Sequence, residues 1–240
     1  MTYCLGILTR SGLIMAADSR TSAGVDYVSY AQKLFDLSLP EKRTLLVCTA
    51  GNLSMTQSIM TLVRREQREE IDGNLNQLNH MYDVASYFGQ KTRVILDQSR
   101  EWMERDRIDF GCSFLIGGQL CGESPELYMV YSQGNVLQAT KQTPFLQIGE
   151  IKYGKPILDR TIYFETTSLD ESAKCALLSL DSTMKSNISV GPPIHLAMYE
   201  KDTFKLSHRS KFEEGDPYLT TLRRSWETSV RDAFRSLPSV

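Results

Sequence analysis

A chain of 240 residues in which 41% of side chains are apolar can bury a full core, as one large domain or two small ones. Its formal net charge of −2 sets up no field that would gather nucleic acid or an anionic membrane, and no apolar run reaches the roughly 18 residues of a spanning helix. The five cysteines are scattered without a CxxC and the three histidines stand apart, so reduced core thiols are expected, with no zinc site, other metal or cofactor.

No basic stretch precedes an apolar one at the N-terminus, so a secretory signal is not expected and the cytoplasm is the default location. Thr2 to Leu8 reads as a strand rich in β-formers, and Leu13 to Ala17 as a second. Thr9-Arg10-Ser11-Gly12 joins them as a tight turn, with Gly12 supplying a positive φ. A two-residue loop sets Thr2 opposite Ser19, and a three-residue loop sets it opposite Arg20. In either register Asp18 is a direct or diagonal cross-strand neighbour, with β-carbons roughly 5–8 Å apart.

A polar loop from Thr21 to Ser29, containing Gly24, leads to a short strand through Lys33-Leu34-Phe35, and Arg43 to Ala50 is an apolar strand ending at Gly51-Asn52. Two helices follow by apolar spacing, from Asn52 to about Ile71 and from Asn79 to about Arg105. Strands resume at Phe110–Ile116, Glu126–Tyr131, Asn135–Ala139 and Phe145–Gly149, with turns at Gly117-Gly118 and Ser132 to Asn135. Ser168 and Glu171 form a capping box that opens another helix, Ile194–Tyr199 is a late strand, and Leu219, Leu222, Trp226, Val230 and Phe234 stripe a C-terminal helix over about 216–236. Short turns between successive strands imply antiparallel sheets, and helices that come in pairs imply layers outside them. The expected fold is α+β: a four-layer αββα sandwich of two antiparallel sheets flanked by helices, as a single domain over 1–240 with no linker splitting it.

The chemistry gathers at the chain start. Removal of Met1 is expected, and it would leave Thr2 with a free α-amine beside its hydroxyl, a base and a nucleophile in one residue. The pattern Thr2 … Gly12 … Ala16-Ala17-Asp18-Ser19-Arg20 … Lys33 … Thr49-Ala50-Gly51 closely resembles the N-terminal region of proteasome β subunits, the threonine peptidases of the N-terminal-nucleophile (Ntn) hydrolase superfamily. Within that family, Phe145 to Glu150 and Ser186 to Pro193 look like the bacterial group called Anbu, the ancestral β subunit. The resemblance covers about residues 2 to 200.

The resemblance implies a role for each matching position. Thr2 matches the nucleophile, whose α-amine, with a pKa near 7.7–8, can take the hydroxyl proton. Lys33 matches the active-site lysine, whose charge favours the neutral amine and the developing alkoxide, and Asp18 the carboxylate that orients it. Gly51 matches the oxyanion-hole glycine. Ser19 and Arg20 support the site, and an extended peptide would add as a strand beside Thr21 and the loop around Thr49. Two departures stand out. Glu150-Ile151-Lys152 occupies the place of a Ser-Gly-Ser run, and Ser186 stands near where an aspartate is usual, although Ser189 matches the serine after it. Those groups form the outer hydrogen-bonding shell around the threonine amine, and Glu150 is a candidate replacement carboxylate. The segment Gly149 to Lys155 mimics a Walker A loop, but Pro156 stands where its Ser or Thr must be.

The expected function is therefore a threonine peptidase acting on peptides or unfolded protein in a self-assembled homo-oligomer, a ring or an open spiral. Two alternatives are an assembly protein with little activity and an amidohydrolase of small-molecule amides.

Overall fold

The computed structural model describes residues 2–22 and 27–239; Met1 with its expected removal, Gly24 in the segment 23–26, and Val240 lie outside them. The first hairpin sets the geometry of everything near the chain start. Strand β1 (Tyr3–Thr9) pairs with β2 (Gly12–Ala17), Cys4 opposite Ala17 and Thr9 opposite Gly12. Arg10 and Ser11 are thus the whole loop, and Gly12 has φ +146°. This is the register that carries Thr2 opposite Ser19 and Tyr3 opposite Asp18.

The first apolar stretches are continuous because both faces of their strands are buried. On β1, Tyr3, Leu5 and Ile7 face helices, while Cys4 and Leu8 face a second sheet. The first sheet runs β10-β1-β2-β11-β12, where β10 is Phe145–Gly149, β11 Ile194–Glu200 and β12 Leu206–Phe212. The second runs β5-β6-β7-β8-β9, comprising Leu34–Asp36, Arg43–Gly51, Cys112–Leu120, Glu126–Val130 and Val136–Gln138. Every pairing is antiparallel. Helices α1 (Leu53–Arg68) and α2 (Met81–Arg105) cover the second sheet through Ile59, Val63, Val84 and Phe88. Helices α3 (Lys155–Thr161) and α4 (Leu169–Ser186) cover the first, and α4 opens on the expected Ser168–Glu171 capping box. The result is the α+β arrangement of two antiparallel sheets between helical layers.

Several expectations need correction. Gly117 and Gly118 make no turn; they lie inside β7, where the facing sheet and the neighbouring strand leave no room for side chains. A β-carbon on Gly117 would stand 2.8 Å from Met15 Sδ, and one on Gly118 2.0 Å from the Thr44 carbonyl oxygen. The stretch read as a loop after Arg20 contains a two-stranded ribbon, β3 (Arg20–Ser22) with β4 (Val28–Tyr30). Lys33 immediately precedes β5 instead of lying within it. Helix α3 and strand β12 had no clear pattern: α3 has seven residues, and β12 is largely exposed. Cys121 is exposed, unlike the other four cysteines. The last helix, α5 (Pro217–Arg235), buries Leu219 and packs Leu222 against the α4 side, but Val230 and Phe234 face outward.

Candidate active site

Thr2 directly precedes β1 and is 9% exposed. Its carbonyl accepts from the Glu150 amide at 2.7 Å. That approach requires Gly149: its φ is +87°, and a β-carbon there would fall 1.9 Å from the Thr2 oxygen. On the other side the ladder changes character. Asp18 N–H donates to the Tyr3 carbonyl at 3.2 Å, but Tyr3 N–H donates to Asp18 Oδ1 at 3.1 Å, so a carboxylate replaces a strand carbonyl. The Tyr3 ring points the other way, into the α4 layer, where its hydroxyl meets Ser179 Oγ at 2.7 Å and Gln147 Nε2.

Asp18 is fully buried and takes three donors. Lys33 Nζ lies 2.7 Å from Oδ1, beside the Tyr3 amide, and the Gly191 amide donates to Oδ2 at 3.2 Å. Burial pushes the Asp18 carboxyl up from its ordinary value, while the Lys33 charge and the two amides pull against that rise. Lys33, 4% exposed, also donates to the Arg20 carbonyl at 2.5 Å. Its own carbonyl accepts from Thr49 N–H at 2.9 Å, and Leu34 pairs with Cys48, so β6 fixes where Lys33 begins its reach. The ammonium is one carboxylate away from the Thr2–Tyr3 peptide.

Gly51 ends β6 opposite Cys112, exposed and at φ +100°. A β-carbon there would meet the Gly111 oxygen at 2.3 Å, so glycine is needed for the sharp exit into α1. Thr49, two residues earlier on β6, is buried. Thr21 sits on β3, opposite Ser29. Buried Ser19 Oγ, Arg20 Nε and Thr21 Oγ1 have no hydrogen-bond partner among the described residues. Unmet capacity of this kind costs about 1–3 kcal/mol per group, and here it falls on three consecutive residues beside Lys33.

The 187–191 segment ties these pieces together. Gly191 reaches Asp18, and the Ile188 carbonyl accepts from Arg20 Nη1 at 2.9 Å. Asn187 Nδ2 donates to Glu150 Oε2 at 3.1 Å, while Asn187 Oδ1 accepts from the Ser189 amide at 2.9 Å. Ser186 is not gathered in: it is the exposed last residue of α4 and bonds to none of Thr2, Asp18 and Lys33 among the described residues. Asn187 was missed in the sequence because its partner is 37 positions away; its only mark was membership of the Ser186–Pro193 run. Among the described residues no group of His, Cys, Asp and Glu side chains gathers as a metal site would require.

Residues 2–198 match the family described as "Proteasome subunit". The chain belongs to the proteasome subunit family. A curated member, "Proteasome subunit beta 2" of Nitrosopumilus maritimus (strain SCM1), is 23% identical over 209 residues, covering 85% of this chain and 89% of that protein. Two Anbu structures are more similar still. Anbu (ancestral beta-subunit) from Yersinia bercovieri is 40% identical with a TM-score of 0.92, over 100% of this chain and 98% of that one. The helical assembly of the Anbu complex from Pseudomonas aeruginosa is 41% identical with a TM-score of 0.93, over the same shares. Proteasome-family membership and the Anbu fold together make this an Ntn-hydrolase-type chain.

Proposed function

We propose that this proteasome-family chain is a threonine peptidase, cleaving peptide bonds through an acyl-enzyme ester on Thr2. One observation carries the reading: the Asp18 carboxylate holds Lys33 and the amide that follows Thr2 on the same oxygen. With Met1 removed, the Thr2 amine takes the hydroxyl proton, directly or through a water, and Oγ1 attacks the scissile carbonyl. The Lys33 charge, held by Asp18, favours the alkoxide and the neutral amine. The oxyanion is received at the Gly51 amide, a contact worth about 3–4 kcal/mol in related chemistry. The amine then passes its proton to the leaving amine. In the second half a water attacks the ester, its proton returns to the amine, and Oγ1 is restored.

An extended peptide adds beside Thr21 and Thr49, where unmet polar atoms lie at Ser19, Arg20 and Thr21. Self-assembly into a homo-oligomer is part of the reading, supported by the Pseudomonas aeruginosa helical assembly and by the apolar residues that α5 leaves exposed. Among the described residues no helix is long and apolar enough to cross a membrane. The test is Thr2→Ala, which should abolish both peptide turnover and covalent labelling by an epoxyketone; labelling that persists would sink the assignment. The exposed Ser186 favours a second reading, an assembly protein with little turnover. Robust hydrolysis by the purified protein, lost in Thr2→Ala, excludes it.

A further inference from the structure

We infer that Glu150, moored by Asn187, is the charge partner of the Thr2 α-amine and sets the pH at which that amine becomes a base. The inference rests on the reading of Thr2 as the nucleophile. The register of β1 with β10 ends at Tyr3 opposite Gly149, and one residue on the Glu150 amide donates to the Thr2 carbonyl, so the Glu150 backbone lies beside Thr2. Glu150 is half-buried and its carboxylate turns to Asn187 on the 187–191 segment, the segment that also braces Asp18.

The charge balance decides the sign. Around the chain start Asp18 and Lys33 neutralise each other at 2.7 Å. Arg20 keeps its charge, because the Ile188 carbonyl that its Nη1 meets is neutral, but it is not paired with Glu150; Lys185 pairs with Glu227 at 2.5 Å, and Lys152 is exposed. The Tyr3 phenol lies on the opposite face, bonded to Ser179. The 187–191 segment contributes no ionisable side chain. Asn187 satisfies Glu150 without neutralising it, and no cation pairs with Glu150 among the described residues. An α-ammonium on Thr2 fills that vacancy in the charge balance. A carboxylate there stabilises the charged amine, so the base is released at a higher pH than in a site lacking it.

The experiment titrates the amine itself, on protein whose intact mass shows Thr2 as the first residue. The rate of amine carbamylation by cyanate, followed by mass spectrometry across pH, reports its pKa without turnover. Glu150→Gln should lower that pKa by about one unit, and kcat/KM well below the pKa should rise by up to about tenfold. Glu150→Asp should retain most of the wild-type value, and Asn187→Ala should shift it in the direction of Glu150→Gln by less. An unchanged amine titration in Glu150→Gln, with the fold intact by circular dichroism, overturns the inference. Failure of the nucleophile reading looks different: Thr2→Ala would keep its turnover while the amine still titrated with Glu150.

Discussion

The backbone amide of Tyr3 donates to the carboxylate of Asp18 at 3.1 Å, where an ordinary hairpin would offer a carbonyl. That substitution closes the β1–β2 ladder at Tyr3 and ties the Thr2–Tyr3 peptide to a buried anion. Lys33 shares the same oxygen. The position of the ammonium relative to Thr2 is therefore set by one atom that both partners hold, and the Gly191 amide stops that carboxylate from rotating away.

Asp18→Asn tests this arrangement. The substitution keeps the shape and removes the charge, leaving the Lys33 ammonium 4% exposed without an anion. Breaking a buried pair in this way costs about 3–5 kcal/mol. Denaturant unfolding should show a loss of that size, and epoxyketone labelling should slow by at least about a hundredfold. A stability loss below about 1 kcal/mol would mean that the pair does not hold the site together.

The pH profile follows from the direction of the Asp18 shift. Burial raises its carboxyl above the ordinary value near 3.9, so protonation on acidification comes earlier than for a surface aspartate and releases Lys33. In the proposed mechanism the Thr2 amine, with a reference pKa near 7.7–8, must also be neutral. Below both values log kcat/KM should fall with a slope approaching two, in protein shown by circular dichroism to remain folded. A slope of one throughout would remove Asp18 from the working ionisations.

Much of this was legible in the residues. Spacing alone brought Thr2 and Asp18 together, because a hairpin loop can absorb only two or three of the residues between them. The capping box at Ser168 and the apolar spacing of α1 and α2 are local signals that the fold honours. Lys33 and Gly51 carried meaning only through the resemblance, since nothing near them in sequence distinguishes a buried lysine or a strand-end glycine. A glycine pair marks a turn and a close approach of neighbouring backbone with equal force; at Gly117-Gly118 only the long-range neighbours, Met15 of the facing sheet and β6 alongside, decide which. Asn187 and Glu150 meet across the first sheet's edge, a long-range fact that no window of sequence contains.

Gly149→Ala isolates the contact that seats Thr2. Its β-carbon would stand 1.9 Å from the Thr2 oxygen at φ +87°. Gly122 has the same φ of +87° with nothing within 4 Å, so Gly122→Ala carries the backbone strain without the clash. The strain costs about 1–2 kcal/mol in either variant. Only Gly149→Ala should also displace the chain start, and a shift near 1 Å can cost about a hundredfold in turnover. Thermal melts and kcat for the pair provide the check; equal kcat would show that Thr2 tolerates the displacement.

Helix α5 divides into two halves with different tasks. Leu219 is buried and Leu222 packs beside it, so the first half docks on its own subunit. Further along, Val230 is 47% exposed, Phe234 74% and the following Leu237 63%. An exposed apolar run at the end of an amphipathic helix gains little by facing water, and burial against a second copy would stabilise it by about 1.5–3 kcal/mol per large side chain. Val230→Asp with Phe234→Asp should therefore shift the protein to smaller species in analytical ultracentrifugation at micromolar concentration. The dissociated subunit should lose less than about 0.5 kcal/mol of its own stability, because neither side chain is in the core. An unchanged sedimentation profile would place the assembly contacts elsewhere on the subunit, and a large stability loss would mean that the second half of α5 docks at home.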